Sequence, residues 1–80
     1  MKRISLELSS IASIGYQSGY QSKPRQLEME FRQSGDVYLY FEVPVKEYEA
    51  FMAADSQNIY FKKVFTLKEY DYVVLIRGLR

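Results

Sequence analysis

Residues 27–43 contain two runs of strict polar and apolar alternation that meet at a short turn, Gln33-Ser34-Gly35-Asp36. Alternation with a period of two places successive side chains on opposite faces of a strand, and a short Gly-containing turn joins antiparallel strands. The segment is therefore predicted to form a β-hairpin. Its core face is expected to hold the aliphatic and aromatic positions of both runs. The opposite face is expected to carry Glu28, Glu30, Arg32, Tyr38, Tyr40 and Glu42.

The chain before this hairpin predicts further extended structure. Ile4, Leu6 and Leu8 alternate with polar residues, and the segment 10–16 (Ser-Ile-Ala-Ser-Ile-Gly-Tyr) is a second strand candidate. Ile11 and Ile14 fall out of strict alternation, which predicts a bulge or a break near Ser9–Ser10. Residues 17–25 are polar and include a glycine and a proline, so they are expected to form a loop.

The chain after the hairpin predicts two helices. Pro44 suits a first helical turn, and Val45, Tyr48, Phe51 and Met52 recur at helical spacing. These apolar residues are expected to face inward, with Lys46, Glu47 and Glu49 turned outward, in a helix that ends near Ala54. Asp55 or Ser56 is expected to cap a second short helix with Ile59, Tyr60 and Val64 on one side.

The last segment, 69–77, is rich in aromatic and β-branched residues and predicts a strand. Its Val73–Ile76 portion is apolar on both faces, so it requires cover from its own domain or from a neighbouring subunit. Together these elements predict a single domain over residues 1–80 of the α+β class. The expected architecture is an antiparallel β-meander with one or two helices packed on one face and a C-terminal strand.

Composition limits the chemistry that this chain can perform. It has no cysteine and no histidine, which excludes disulfides and the common zinc and copper ligand sets, and no calcium-loop pattern is present. We therefore expect no metal and no cofactor. Eleven basic and ten acidic residues give a net charge of +1, which disfavours strong non-specific DNA binding. No stretch is apolar enough to span a membrane or act as a signal peptide, so a cytoplasmic protein is expected.

Catalysis would depend on carboxylates, lysines or tyrosines, since the usual acid–base residue, histidine, is absent. Glu28 and Glu30 lie on one predicted strand face and are conceivable as a glycosidase-like pair. A solvated strand face is the simpler interpretation of the same pattern. No nucleotide-binding loop, nucleophile elbow or metal motif is present, so we do not expect an enzyme.

Several residues are candidates for ligand binding. Tyr38 and Tyr40 could stack nucleobases, although tyrosines on neighbouring strands also stabilise sheets without any ligand. The run Tyr60-Phe61-Lys62-Lys63, followed by Phe65 and Lys68, combines rings with three cations that can stack a base and pair a phosphate; alternatively, it is a helix that buries Tyr60 and Val64 and leaves the lysines in solvent. Ser9 and Ser10 could bind a ligand or satisfy backbone groups at a bulge. Arg77, like Lys23, Arg25 and Arg80, is expected to reach a pocket only across a subunit boundary.

Several segments in the same order resemble the KTSC domain family. They are residues 9–16, 27–31, 35–44 (Gly-Asp-Val-Tyr-Leu-Tyr-Phe-Glu-Val-Pro), 48–56, Tyr60-Phe61 and Tyr70-Asp71-Tyr72, and they extend from about residue 8 to 72. The resemblance implies a domain without assigned catalytic residues, found at the C-terminus of some lysyl-tRNA synthetases and as stand-alone proteins, many in phages and prophages. That association implies nucleic-acid binding. The chain departs from the family pattern in its longer 17–25 loop, which alters a loop rim, and at Asn58 and Lys62, which bear on a site built around Tyr60–Phe61.

Three functions follow as hypotheses. The first is a non-enzymatic homo-oligomer that binds and sequesters a nucleotide-like ligand, as a phage protein could do with a nucleotide signal of its host. The second is an RNA-binding accessory domain, and the third is a protein–protein adaptor that uses the tyrosine-rich surface.

Overall fold

The computed structural model describes residues 3–7, 10–19 and 25–78. Its strands are β1 Ile4–Ser5, β2 Ile11–Ser18, β3 Arg25–Phe31, β4 Val37–Phe41 and β5 Tyr72–Ile76. They form one antiparallel sheet in the order β1-β2-β3-β4-β5. Between β4 and β5 the chain forms α1 Val45–Ala53, α2 Gln57–Tyr60 and a π-helical segment, Phe61–Phe65, that continues α2. The predicted α+β meander with helices on one face and a C-terminal strand is confirmed.

The bulge or break predicted near Ser9–Ser10 falls in part on Ser9, which lies outside the described residues. Within them, the register between β2 and β3 shifts between Ile11 and Ser13. This bulge allows both Ile11 and Ile14 to be buried although they are three residues apart. The predicted 17–25 loop is also shorter than expected, because β2 continues to Ser18, which pairs with Arg25 at the start of β3.

The hairpin of β3 and β4 is confirmed, but the face predicted for its tyrosines is wrong. Tyr40 pairs with Leu27 and Tyr38 with Met29. Paired residues share a face, so both tyrosines lie on the helix-covered side with these two buried residues, opposite the expected glutamates. Every residue of β4 has a large apolar or aromatic side chain, so the alternation alone could not decide which parity faces the core.

Helix α1 has the predicted extent, beginning after Pro44 and ending at Ala53. Two of its side-chain directions differ from the prediction. Val45, expected inside, is 44% exposed, whereas Glu47, expected outside, is only 5% exposed. Glu47 precedes the buried Phe51 by four residues, so the two occupy the same stripe of the helix.

The second helix is capped by Ser56, whose hydroxyl accepts a hydrogen bond from the Ile59 N–H at 3.3 Å, as predicted. Ile59 itself was expected on the buried side but is 55% exposed. The Thr66 N–H donates to the Phe61 carbonyl at 3.0 Å, five residues back, which widens the helix into a π-helical turn. The inward-facing residues are consequently Phe65, which is buried, and Phe61, which packs against the core.

Strand β5 is an edge of the sheet and pairs with β4 alone among the described strands. Tyr72, Val73, Leu75 and Ile76 are each about half exposed. The expectation that the domain itself covers Val73–Ile76 on both sides is therefore wrong, and cover by a neighbouring subunit stays a prediction. No helix in the described part of the chain is long and apolar enough to cross a bilayer.

Candidate functional site

An aromatic cleft of about 450 Å³ opens between the π-helical segment and the β4–β5 edge of the sheet. Its volume falls within the range of about 300–1,000 Å³ that is usual for small-molecule sites. The sheet contributes Tyr38, Tyr40 and Tyr72, and the helical layer and the turn after it contribute the remaining walls. The residues that line this aromatic cleft are Tyr38, Tyr40, Phe61, Phe65, Thr66, Glu69, Tyr70 and Tyr72.

The rings of the aromatic cleft hold one another in place. Tyr38 and Tyr72 lie stacked on adjacent strands, with ring centroids 5.0 Å apart and planes 9° from parallel. The Phe65 ring meets Tyr40 edge to face at 4.9 Å. Tyr70 closes the row at 4.9 Å from Phe65. Ring pairs in these arrangements are favourable beyond their burial, so the walls of the cleft are formed before any ligand arrives.

The charge of the aromatic cleft comes from one carboxylate, Glu69, since no lysine or arginine is among the residues that line it. Burial raises the pKa of Tyr40, and the nearby phenols of Tyr38 and Tyr72 raise it further. Burial and the hydrogen bond to Glu47 raise the pKa of Tyr70 to about 12. These two phenols are therefore neutral at pH 7, and the cleft combines apolar ring faces with a single negative group.

The buried carboxylate of Glu47 holds Tyr70 in position through a hydrogen bond from its hydroxyl. Glu47 accepts hydrogen bonds from the Tyr70 hydroxyl at 3.0 Å and from the Tyr60 hydroxyl, and it pairs with the Lys68 Nζ at 2.9 Å. Burial acts to raise the pKa of Glu47, but the hydrogen bonds from Tyr60, Lys68 and Tyr70 outweigh it and lower that pKa below its usual value. Glu47 thus stays ionised and joins α1, α2 and the turn before β5.

A second, polar cleft of about 530 Å³ is lined by Ser10, Phe31, Gln33, Ser34 and Lys62. Phe31, which lines the polar cleft, contacts Phe61, which lines the aromatic cleft, with ring centroids 5.6 Å apart, so this ring pair separates the two clefts. Asn58 Oδ1 accepts hydrogen bonds from the Ser10 N–H and the Ser10 hydroxyl, at 2.8 and 2.9 Å. Asn58, a departure from the family pattern, therefore anchors the rim of the polar cleft.

The structure divides the predicted site residues into separate groups. Tyr38, Tyr40 and Phe61 meet in the aromatic cleft, and Ser10 and Lys62 meet in the polar cleft. A third, shallower depression of about 300 Å³ contains Tyr60 and Lys63.

Two of the remaining predicted residues take no part in these clefts. Arg77 forms an ion pair with Asp36 at 3.6 Å, on the turn between β3 and β4. Arg25 forms an ion pair with Glu42 at 3.7 Å. Ser9, Lys23 and Arg80 lie outside the described residues.

The carboxylates that were considered for catalysis lie away from both clefts. Glu28 and Glu30 occupy the sheet face opposite the helices, and Glu30 accepts a hydrogen bond from the Ser13 hydroxyl at 2.9 Å. Within residues 3–7, 10–19 and 25–78, no three acidic, histidine or cysteine side chains come together as a metal site would require. The chemistry that the described geometry offers is the stacking of rings beside a carboxylate.

Half of the aromatic cleft was not identified from the sequence as a site. Thr66, Glu69, Tyr70 and Tyr72 come from the turn after the π-helical segment and from the start of β5, and Tyr72 meets Tyr38 and Tyr40 through the β4–β5 pairing. One signal was present, since Tyr70-Asp71-Tyr72 belongs to the pattern that carried the family resemblance. The pattern gave no reason to place these residues beside the hairpin tyrosines.

Comparison with known proteins agrees with this resemblance. The KTSC domain matches residues 8–70, which is most of the chain. The chain belongs to the KTSC domain family. A protein of Stutzerimonas stutzeri (strain A1501), which carries the name "Uncharacterized protein", is 40% identical over 72 residues, covering 90% of this chain and 94% of that protein.

A solved structure supports the same assignment. The crystal structure of the KTSC domain protein YPO2434 from Yersinia pestis is similar to this chain with a TM-score of 0.80 and 31% sequence identity. The similarity covers 94% of this chain and 97% of that one. The sheet and helices that form the two clefts therefore belong to an arrangement that a KTSC domain adopts in a crystal.

Proposed function

We propose that this KTSC domain is a binding protein that holds a nucleotide-like ligand without transforming it. The observation that carries the proposal is the pair of clefts on either side of the Phe31–Phe61 contact. One cleft offers aromatic faces, and the other offers the Lys62 ammonium beside hydroxyl and amide groups. Stacking on rings and pairing of phosphate with a cation are the two interactions by which proteins commonly hold nucleotides.

In this proposal the base enters the aromatic cleft and the phosphate lies outside it. Glu69 is the charged residue of the aromatic cleft and would repel a phosphate. Lys62, in the polar cleft, is the cation that a phosphate reaches on the far side of Phe61. The ligand is therefore expected to cross the Phe31–Phe61 pair, with its base and its phosphate held by different clefts.

A site of this kind would act by holding the nucleotide unchanged, without catalysing a reaction on it. The aromatic cleft holds one carboxylate, Glu69, beside phenols, and the raised pKa values of Tyr40 and Tyr70 make these two poor proton donors at pH 7, so the proposal assigns no bond cleavage to this cleft. A small stand-alone protein that stacks a base and keeps the ligand unchanged would lower the free concentration of that nucleotide. This is the sequestration of a nucleotide signal that the sequence suggested for a phage-type KTSC protein.

RNA binding is less well supported than nucleotide binding. Tyr38 and Tyr40 lie on the helix-covered face, whereas RNA-binding sheets present their stacking rings on an open face. Lys62 and Lys63 are adjacent in sequence but line different depressions, so they do not form a continuous basic track. RNA binding would also weaken steeply with salt, which separates it from capture of a mononucleotide.

The homo-oligomer expected from the sequence enters the same proposal. The edge strand β5, which pairs with β4, presents half-exposed Val73, Leu75 and Ile76. An apolar edge strand is a template for pairing with another strand, and a second copy provides the matching strand about a two-fold axis. Tyr72 of the aromatic cleft belongs to this strand, so association would place the cleft close to the subunit boundary.

The direct test is to denature the purified protein and to identify the released small molecules and RNA by mass spectrometry. Calorimetric titration with nucleotides then measures affinity for the wild type, Tyr72→Ala and Lys62→Ala. Loss of one stacked base contact costs about 1–3 kcal/mol, so Tyr72→Ala is expected to weaken binding by about 5- to 150-fold. Lys46→Ala, on an exposed position of α1, is the matched control for Lys62→Ala and is expected to bind as the wild type does.

The proposal fails if no nucleotide is released and none binds at millimolar concentration. It also fails if binding is unchanged in Tyr72→Ala. A steep loss of affinity with salt, together with RNA in the released material, would establish the RNA-binding alternative in its place.

A further inference from the structure

Glu69 is unusual among the residues of the aromatic cleft because its backbone is left-handed, with φ of 52°. Residues other than glycine rarely adopt this conformation, and when they do they are often at functional sites. The Glu69 N–H donates to the Thr66 carbonyl at 3.3 Å, which fixes the turn between the π-helical segment and β5. The carboxylate is therefore attached to a constrained turn at the wall of the cleft.

The Glu69 carboxylate is also available to a ligand. In the described part of the chain it accepts no hydrogen bond and forms no ion pair, whereas Glu47, Glu30 and Glu42 are all engaged. An ionised carboxylate only accepts hydrogen bonds. A ring that stacks in the cleft and turns its edge to Glu69 must therefore supply donors.

The nucleobases differ in the donors that they can offer at one edge. Guanine presents N1–H and the N2 amino group side by side, which matches the two oxygens of a carboxylate. Adenine and cytosine each place one amino group next to an acceptor nitrogen, and uracil places one N–H between two acceptor oxygens. Adenine and uracil would turn a lone pair toward Glu69 beside their donor, and cytosine offers one N–H donor beside either an acceptor or a C–H group. Guanine is therefore the base that gives both carboxylate oxygens an N–H partner.

We infer that the aromatic cleft selects guanine over the other bases and that Glu69 is the residue that reads it. The inference rests on the proposed function, because it needs a base in the cleft. The rings supply affinity for any base, since all bases have a stacking face. Glu69 supplies the distinction between them. Thr66, the other polar residue that lines the cleft outside the phenols, donates its hydroxyl to the Lys62 carbonyl and therefore offers a ligand only an acceptor.

The test is calorimetric titration of the wild-type protein with guanosine, inosine and adenosine 5′-monophosphates. Inosine keeps N1–H but lacks the N2 amino group, so it isolates one of the two hydrogen bonds. A bidentate contact to a base contributes about 1–3 kcal/mol of discrimination, so we expect guanosine monophosphate to bind about 5- to 150-fold more tightly than adenosine monophosphate. Inosine monophosphate is expected to fall between them.

Variants assign the selectivity to the carboxylate. Glu69→Gln is expected to remove the preference for guanine, because its amide offers one donor and one acceptor in place of two acceptors, and to bind adenosine monophosphate at least as tightly as the wild type does. Glu69→Gly removes the same group and relieves the left-handed backbone, so it provides a second variant whose fold is not at risk. Glu28→Gln makes the same chemical change on the opposite face of the sheet and is expected to keep the wild-type preference.

The possible contrary results are distinct. Equal affinities for the guanosine and adenosine ligands, unchanged in Glu69→Gln, would overturn the role of Glu69 and leave the proposed function intact. Absence of binding by any nucleotide would overturn both. Binding of tetramethylammonium that depends on Glu69, without competition from guanosine monophosphate, would make the cleft a cation site and overturn the inference.

Discussion

The buried carboxylate of Glu47 provides a quantitative test of how this domain is held together. Three groups from later in the chain converge on it: the Tyr60 and Tyr70 hydroxyls and the Lys68 ammonium. Glu47→Gln keeps the size of the side chain and an acceptor oxygen but removes the charge. We expect the fold to persist with a lower free energy of unfolding.

The magnitude follows from the hydrogen bonds. A hydrogen bond to a charged group contributes about 1.5–3 kcal/mol and a neutral one about 0.5–1.5, so each phenol loses about 1 kcal/mol. Lys68 is half exposed, and an ion pair with a solvated partner contributes about 1 kcal/mol at most. The expected loss is therefore about 2–3 kcal/mol at pH 7. Such a change should lower the Tm by roughly 10–20 °C in a domain of this size.

The lowered pKa of Glu47 also predicts how the free-energy difference between wild type and Glu47→Gln changes with pH. The pKa of Glu47 is lowered in the folded protein, so its contribution is present above the unfolded pKa of about 4.3 and is lost as pH falls below it. Urea denaturation at pH 7 and again near pH 3 should therefore show a large difference between wild type and Glu47→Gln that shrinks at the acidic end. The exposed Glu49→Gln, two residues along α1, is the control and is expected to lose less than about 0.5 kcal/mol.

Alkaline titration of the tyrosines followed by ultraviolet absorbance is a second readout. The hydrogen bond to Glu47 raises the pKa of Tyr60 to about 12, and burial together with the same carboxylate raises the pKa of Tyr70 to about 12. In Glu47→Gln both should titrate closer to the ordinary value of 10.0. A loss of stability under 0.5 kcal/mol at pH 7, or a difference that stays constant down to pH 3, would refute this account of Glu47.

Two further predictions concern β5. Leu75→Lys places a charge on the exposed edge strand and is expected to shift any oligomer toward monomer in light scattering, whereas Lys46→Ala should not; a wild-type monomer at micromolar concentration would contradict association through this strand. Gly78→Ala is expected to lower the free energy of unfolding by about 1–3 kcal/mol or more, because the new Cβ would lie 1.9 Å from the Ser34 carbonyl oxygen and 2.5 Å from the Gly35 carbonyl carbon. Unchanged urea denaturation in Gly78→Ala would show that the turn moves freely away from β5.

The elements of the fold were predictable where local pattern and local chemistry agree. The alternation in residues 27–31, the glycine-containing turn and Pro44 gave the hairpin and the start of α1 correctly. The prediction failed at β4, whose side chains are apolar or aromatic at every position. A one-residue change of register moves every side chain of such a strand to the other face, and here only the pairing with β3 decides it.

The candidate site was less accessible to sequence reasoning. Tyr38 and Tyr40 were selected for a reason that the structure contradicts, since they meet other aromatic residues beneath the helices and do not stand on an open face. Glu47 was assigned to solvent because charged helix residues usually are exposed. Its spacing of four from Phe51 was the available sign of burial, but its phenol partners follow 13 and 23 residues later, beyond the reach of a helical pattern.

The aromatic cleft and the stability of the domain depend on the same contacts. Tyr70 lines the cleft with its ring and donates its hydroxyl to Glu47, so the wall of the cleft exists only when α1 and the turn before β5 are docked. Tyr72 lines the cleft from β5, which follows the helices in the chain but pairs with β4, which precedes them. A ligand that fills the cleft would therefore stabilise the contacts that join the two ends of this segment, by an amount that grows with the logarithm of its concentration relative to its Kd. The site is consequently a product of the whole tertiary arrangement and cannot be separated into a motif.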